Sequence, residues 1–394
     1  MAKPLRALGL MSGTSLDGID VAMLTTDGTD SVERGPSATY PYPPEFRAQL
    51  IVALADAKAV AARHDRPGCL ADVERELTEL HADAVRKFLH INGIDPASID
   101  VIGFHGQTVV HRPARMVQRT ISPPRALLDV PRISAETVEF QLTVQLGDGP
   151  LLAMLTNIDV VYDLRAADAE AGGQGAPLVP VYHQALAARV PERPAAFLNL
   201  GGVGNVTWIG DGQALIAFDT GPGNALIDDW VRQHTGRSHD TDGVLALSGQ
   251  VNEAALADLL RHNYFGELPP KSLDRNTFSL DPVSRLSLED GAATLVAFTV
   301  TTVSLAVPLF PQPPASWIVC GGGRRNTALM LALAGRLAAA VAPAEVLNLD
   351  GDSLEAEAWA FLAVRSLRHL PITFPMTTGV SAPMTGGVLA PAGR

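Results

Sequence analysis

Four stretches of this sequence set glycines and short polar side chains directly behind apolar runs, an arrangement that lets a backbone come close to an anion. The first reads Gly13-Thr14-Ser15-Leu16-Asp17-Gly18-Ile19-Asp20. Its consecutive N–H groups and two hydroxyls can cradle phosphate oxygens, and Asp17 and Asp20 can hold a metal ion through water. The others carry Gly201, Gly202, Gly204 and Asn205, then Asp219, Gly221, Gly223 and Asn224, then Gly321, Gly322 and Gly323. None is a Walker-type loop, because no Gly-Lys-Ser/Thr follows. Any one alone reads equally well as a tight turn; the recurrence favours a phosphate site. The turn at 219–224 also opens a helix, whose dipole adds to the attraction for an anion. The flat run 321–323 suits a planar ligand such as adenine.

A second set of residues could act on a substrate. Asp168 follows the apolar run Val160-Val161-Tyr162 and precedes Gly172-Gly173-Gln174-Gly175, a setting that suits a catalytic carboxylate meeting a moving substrate. An Asp that merely caps a turn fits the same residues. His105 and Gln107 follow the short strand 101–104, where α/β proteins place ligand contacts, although a hydrogen-bonded turn is an equal alternative. Asp148 lies in the turn 146–150, Arg165 at the end of a strand, and Glu355 and Glu357 in the first turn of the last helix, the end that favours acidic side chains. His81 and His90 read as packed or solvated side chains rather than metal ligands.

Holding these residues in place calls for alternating strands and helices. The opening stretch 8–24 is a hairpin with the first glycine turn at its tip. Helices are expected at 45–56 and 69–92, the second with Leu70, Val73, Leu77, Leu80, Ala84 and Phe88 on one apolar stripe. Strands are expected at 101–104, 160–165, 195–200, 206–209, 214–218 and 317–320, and further helices at 151–157, 225–233, 245–263, 327–337 and 353–370. Residues 112–132 are rich in Pro and Arg and read as loop with a short strand. The segment 292–310 carries no charge, but its Thr294, Thr299, Thr301, Thr302 and Ser304 mark a buried helix between lobes rather than a membrane span.

The chain has 394 residues, 47% hydrophobic and 18% charged, enough for a soluble α/β protein of two lobes. A net charge of −12 argues against nucleic-acid and membrane-surface partners, yet leaves a phosphate site open, since glycine N–H groups and Mg²⁺ supply a local positive field. Cys69 and Cys320 lie far apart without CxxC spacing, so no disulfide framework or zinc site is expected and a reducing compartment is. The first residues lack the apolar core of a signal peptide, and a cytoplasmic location is expected.

Taken together, MSGTSLDGID (11–20), FHGQTVVHRP (104–113), QLGDG (145–149), DLRAADAEAGGQGAPLVP (163–180), NLGGVGN (199–205), FDTGPGN (218–224), CGGGRRN (320–326) and EAEAWAFLAVR (355–365) resemble the anhydro-N-acetylmuramic acid kinase family, within the sugar kinase, Hsp70 and actin superfamily. The blocks run in the family's order through nearly the whole chain. The resemblance implies a ribonuclease H-like fold of two lobes, each a mixed β-sheet flanked by helices, with ATP and substrate in the cleft. The lobes are expected at 1–130, completed by the helix 353–370, and at 131–352. It further implies ATP on residues 13–20, 201–205, 219–224 and 321–323, Asp168 as catalytic base, and Mg²⁺ near Asp17, Asp20 or Asp219. His105, Gln107, Asp148, Arg165 and Glu355 are expected to meet an amino sugar, and the chain to form a homodimer. The implied activity opens the 1,6-anhydro ring of 1,6-anhydro-N-acetylmuramic acid and phosphorylates O6, in peptidoglycan recycling. Many superfamily kinases carry an Asp where this chain has Leu10, so the metal contact must come from elsewhere. A conventional amino-sugar kinase and a non-catalytic ATP switch on the same fold are the competing readings.

Overall fold

Strand β1 (Leu5–Ser12) is almost wholly apolar, and it is buried because strands pair on both its edges. On one side it forms an antiparallel hairpin with β2 (Gly18–Thr26), which pairs in turn with β3 (Val32–Pro41). On the other it runs parallel to β4 (Val101–Arg112). The structure is a computed structural model that describes residues 2–13, 15–112, 116–120, 133–137, 142–212 and 214–393. A two-stranded ribbon, β5 (Met116–Thr120) and β6 (Ile133–Thr137), stands apart from the main sheets. Strands β7 (Leu142–Leu146) and β8 (Val160–Tyr162) both pair with β4, the first antiparallel and the second parallel.

A second sheet follows: β9 (Ala195–Leu200), β10 (Val203–Ile209) and β11 (Leu215–Pro222) form an antiparallel meander. Next to β9 run two parallel strands, β12 (Ser316–Cys320) and β13 (Ala340–Pro343). The chain ends by returning to the first sheet, where β14 (Val388–Ala390) pairs antiparallel with β8. Both sheets are mixed and flanked by helices, as the resemblance implies. The sheets nevertheless divide the chain elsewhere than at 130/131. Residues 142–162 and 388–390 belong to the first sheet, because β7 and β8 find their backbone partners on β4.

The helix Leu354–Leu367 is buried along nearly its whole length and packs on β1, β2 and β4. Gly9 and Gly103 sit opposite each other across the β1/β4 pair. A Cβ at Gly9 would overlap the Ala356 carbonyl, and one at Gly103 the Trp359 carbonyl, so these glycines let the helix lie directly on the sheet. Its core cluster joins residues of both sheets, including Ala7 and Val101 with Phe197 and Ile318. The helix is also pinned by charge. Buried Glu357 accepts from Arg34 Nε at 2.7 Å and from the Tyr182 hydroxyl at 2.6 Å.

The uncharged segment forms the helix Leu288–Ala306, long and apolar enough by composition to cross a membrane, yet buried at Ala292, Thr294, Leu295, Phe298, Thr299, Thr302 and Val303 in the core of the second sheet. The single helix expected at 245–263 is instead two, Val244–Ser248 and Glu253–Leu259. Gly249 breaks it by lying against the Glu289 backbone, and Asn252 caps the second piece through the Ala255 N–H at 3.0 Å.

Candidate active site

The three glycine stretches of the second sheet meet at one end of it, beyond the C-terminal ends of β9 and β12, the side on which open α/β sheets bind ligands. The Asn224 N–H donates to Gly201 O at 2.7 Å and the Gly223 N–H to Gly202 O at 3.0 Å, which staples the β9–β10 turn to the turn after β11. Asn224 Nδ2 adds a bond to Leu200 O at 2.8 Å. Gly321 has φ +73°, and a Cβ there would overlap Asn199 Oδ1, so only glycine lets this turn reach the cradle. Positions 201 and 202 differ: a Cβ built there comes no nearer than 3.8 Å to Val203 O and 3.7 Å to Ala225 Cβ, ordinary contact, so the fold itself would accept a methyl at either.

The opening turn lies at the tip of β1 and β2. Leu16 N–H donates to Gly13 O at 3.3 Å, Ser15 Oγ donates to Asp17 at 2.7 Å, and the Tyr42 N–H reaches Asp17 O at 3.0 Å. Thr14, expected to touch phosphate, lies outside the described residues. Gly18 and Ile19 belong to β2: Gly18 lets the strand approach Tyr40 O, and Ile19 packs in the core. Behind the turn, Tyr42 donates to Ser12 Oγ at 2.8 Å, and Ser12 donates in turn to His81 Nε2 at 2.7 Å. His81 Nδ1–H ends the chain on Leu77 O at 2.7 Å. Burial holds this imidazole neutral, its pKa lowered to about 4. The expectation that His81 is packed rather than metal-bound matches this geometry.

Arg165 brings the candidate residues together. Its Nε donates to His105 Nε2 at 3.1 Å and its Nη1 to Gly175 O at 2.8 Å, with the guanidinium carbon 5.1 Å from the Trp359 ring centroid. Burial lowers its pKa to about 10, while the charges of Glu355, Asp168 and Asp219 act to raise it. One guanidinium therefore feels three of the carboxylates that the sequence singles out. Because Arg165 donates to Nε2, the His105 proton is assigned to Nδ1, which has no protein partner among the described residues. Burial pushes the pKa of His105 well down, so the ring is neutral. Gln107 is buried beside it with Oε1 unpartnered among the described residues.

Asp168 stands in a short helix, Ala166–Glu170, ahead of the glycine cluster rather than inside it. It is 2% exposed; Oδ2 accepts from the Gly175 N–H at 2.7 Å and Oδ1 from the Thr378 hydroxyl at 2.6 Å. Glu355 accepts from Asn199 Nδ2 at 2.7 Å, which ties the helix Leu354–Leu367 to β9, and burial raises its pKa. Asp148 takes a separate task. It caps the helix Gly149–Thr156 through the Leu151 N–H at 2.9 Å and makes no bond to the Arg165 group.

Among the metal candidates, Asp219 has both oxygens engaged, by Asn205 Nδ2 and by the Leu273 N–H, each at 2.7 Å. Burial raises its pKa to about 6. Asp20 accepts from Thr39 at 2.6 Å; burial, with the charges of Asp17, Glu355 and Asp352, raises its pKa to about 6. Asp17 is exposed. No group of three or more His, Cys, Asp or Glu side chains converges as a metal site among the described residues. That donor set fits Mg²⁺ brought in with phosphates, which keeps its waters and needs only one or two carboxylates. Asn199, which bonds Glu355, and Thr378, which bonds Asp168, were not singled out from the sequence. Asn199 was visible in the NLGGVGN block, whereas nothing local marks Thr378.

Two mixed sheets of like topology, with glycine turns gathered at the C-terminal ends of β9 and β12 and buried carboxylates around Arg165, define the two-lobed sugar-kinase class of nucleotide-binding fold. A model of the anhydro-N-acetylmuramic acid kinase family matches residues 5–138 and 130–392, and the chain belongs to that family. A relative from Rhodospirillum rubrum bearing that name is 52% identical over 98% of this chain and 94% of its own length. Another, from Methylobacterium nodulans, is 52% identical over 98% of this chain and all of its own. Among solved structures, an activator of 2-hydroxyisocaproyl-CoA dehydratase from Clostridium difficile with bound ADPNP covers 92% of this chain and 96% of its own at 10% identity and TM-score 0.44.

Proposed function

We propose that this protein is an ATP-dependent kinase that hydrolyses the 1,6-anhydro bond of 1,6-anhydro-N-acetylmuramic acid and phosphorylates O6. The product is N-acetylmuramic acid 6-phosphate, which places the reaction in peptidoglycan recycling and amino-sugar catabolism. The observation that carries this reading is the Asp168 carboxylate fixed by the Gly175 N–H and the Thr378 hydroxyl, with Arg165 bonded to the carbonyl of the same Gly175. A cytoplasmic location and a homodimer complete the proposal.

O6 of the bicyclic sugar carries no proton, so a base acting on a sugar hydroxyl has nothing to remove. Asp168 instead takes a proton from water as the water oxygen bonds to the anomeric carbon. The bond from that carbon to O6 breaks, and its electron pair stays on O6. O6 then bonds to the γ-phosphorus as the bond to the β,γ-bridging oxygen breaks, releasing ADP. The phosphoryl group captures the leaving oxygen, which removes the need for the second carboxylic acid that inverting glycosidases use.

ATP is assigned to residues 13–20, 201–205, 219–224 and 321–323, whose N–H groups and open glycine positions suit phosphates and a base. Asp17, Asp20 and Asp219 are the carboxylates that would hold Mg²⁺ through water, and the ion would offset phosphate charge there. Arg165 stays cationic near neutral pH and orients the Gly175 carbonyl and His105. His105 Nδ1–H and Gln107 Oε1 are a donor and an acceptor for the sugar. The deciding experiment is product mass after incubation with Mg²⁺, ATP and the anhydro sugar, with N-acetylmuramic acid and N-acetylglucosamine in parallel. Gain of water and a phosphoryl group by the anhydro sugar alone is expected. Phosphate added without water to a reducing sugar would identify a conventional amino-sugar kinase instead.

A further inference from the structure

We infer that the chain after the last long helix supplies a positioning residue for the Asp168 carboxylate, and that this residue is Thr378. The inference rests on the reading of Asp168 as the group that deprotonates water. A carboxylate acting as a base only accepts hydrogen bonds and offers about four lone-pair directions. The Gly175 N–H occupies one on Oδ2 and the Thr378 hydroxyl one on Oδ1, at 2.7 and 2.6 Å. With each oxygen held, the carboxylate plane cannot turn without losing a charge-assisted bond, while lone pairs remain on both oxygens for a water.

Thr378 is itself immobilised. It is fully buried, its N–H donates to Phe374 O at 3.1 Å, and its carbonyl accepts from the Gln174 N–H at 2.7 Å. One residue of the tail thus clips both the base and the glycine cluster behind it. The link runs further, since Gln174 Nε2 donates to Pro270 O at 2.9 Å and the same loop delivers the Leu273 N–H to Asp219. The tail, the base and the loop that holds the phosphate-side carboxylate form one hydrogen-bonded set.

The test compares Thr378→Val, Thr378→Ala and Thr378→Ser with wild type, measuring kcat and the KM for ATP with the anhydro sugar. Asp168→Asn is run in the same assay. Val keeps the shape and removes the donor. Loss of the charge-assisted bond should lower kcat by about tenfold or more. The KM for ATP should stay within about twofold of wild type, since Thr378 lies on the base and not on the cradle. Ser should restore kcat; Ala should repeat the Val result and stands in for it if Val does not fold. An unchanged kcat in Val and Ala, a KM for ATP that rises along with the loss, or a loss that Ser does not repair would reduce Thr378 to packing and overturn the proposal. If Asp168→Asn abolishes turnover while Val is unaffected, the positioning role alone falls. If Asp168→Asn turns over normally, the base reading falls and this proposal with it.

Discussion

The first sheet runs β3-β2-β1-β4-β8 and the second β11-β10-β9-β12-β13: in each, an antiparallel meander of three strands is followed by two parallel strands. In each, a glycine turn joins the first two strands, and the fifth strand feeds a stretch whose helix carries an acidic side chain in its first turn, Asp168 in one and Glu355 in the other. The finish differs. The second sheet's turn is stapled by backbone bonds to the turn after its third strand, giving a rigid cradle. The first sheet adds β7 and β14 along its β4–β8 side, and a tail that reaches back to Asp168. One plan is thus used twice, finished once by backbone bonds that staple its turns and once by side chains gathered around Asp168 and Arg165.

The comparison breaks most completely at the helix between the sheets. Glu357→Ala removes the partner of Arg34 and of the Tyr182 hydroxyl in a buried setting, and loss of one member of a buried ion pair costs about 3–5 kcal/mol. Chemical denaturation should show that loss in both sheets together, because the helix packs against a core shared by both. Asp168→Asn should leave stability and ATP binding intact and reduce turnover by ~10² or more, read as ADP release with saturating sugar. Near-normal turnover would remove Asp168 from the mechanism and leave the first sheet without its assigned role.

A finer cut separates glycines that serve the fold from those that serve the ligand. Gly321→Ala should destabilise the protein, since its Cβ has no room against Asn199 and its φ is left-handed. Gly202→Ala should fold normally, because its Cβ would make only ordinary contact, 3.7 Å from Ala225 Cβ. If phosphate lies against this turn, ATP affinity should fall by about tenfold, roughly 1.4 kcal/mol, in a calorimetric titration. Unchanged affinity would move the phosphates away from the β9–β10 turn.

What the sequence made legible follows the range of the interactions. The hairpins, the glycine turns and the helix stripe on Val73, Leu77, Ala84 and Phe88 are set by neighbours a few residues apart, and they stand where expected. The Gly249 break was hidden because its cause is a carbonyl 40 residues away, Glu289 O. The partition of the sheets was misplaced because β7 was not read as a strand and β8 read as an ordinary short one, with nothing in their residues to name β4 as their partner. Thr378 reaches Asp168 across 210 positions from a Pro- and Gly-rich tail whose composition suggests only loop. The family resemblance could name Asp168; only the fold shows what holds it still.

The smallest effect concerns how the first sheet's turn is anchored. His81 is neutral in the fold, with a pKa of about 4 set by burial, against about 6.5 in an unfolded chain. A lowered folded pKa in a base means that the unfolded state binds more protons between those values. Stability is therefore fully present above pH ~6.5 and is lost as pH falls toward 4, at about 1.4 kcal/mol per pH unit in the steep part of that window. His183, lowered to about 3, and His111, lowered to about 4, act in the same direction, whereas Asp20 and Asp219, both raised to about 6, favour the fold as they take up protons over nearly the same range. The net slope mixes these opposing groups, so the informative quantity is a difference between variants. His81→Gln keeps an acceptor for Ser12 and removes one titrating imidazole. Between pH 7.5 and 5.5 its melting temperature should fall less than that of wild type, by the few degrees that about 1.4 kcal/mol represents in a domain of this size. Equal slopes would mean that the Ser12–His81 contact opens before the ring is protonated, and that the first turn, unlike the stapled second, is not fixed from below.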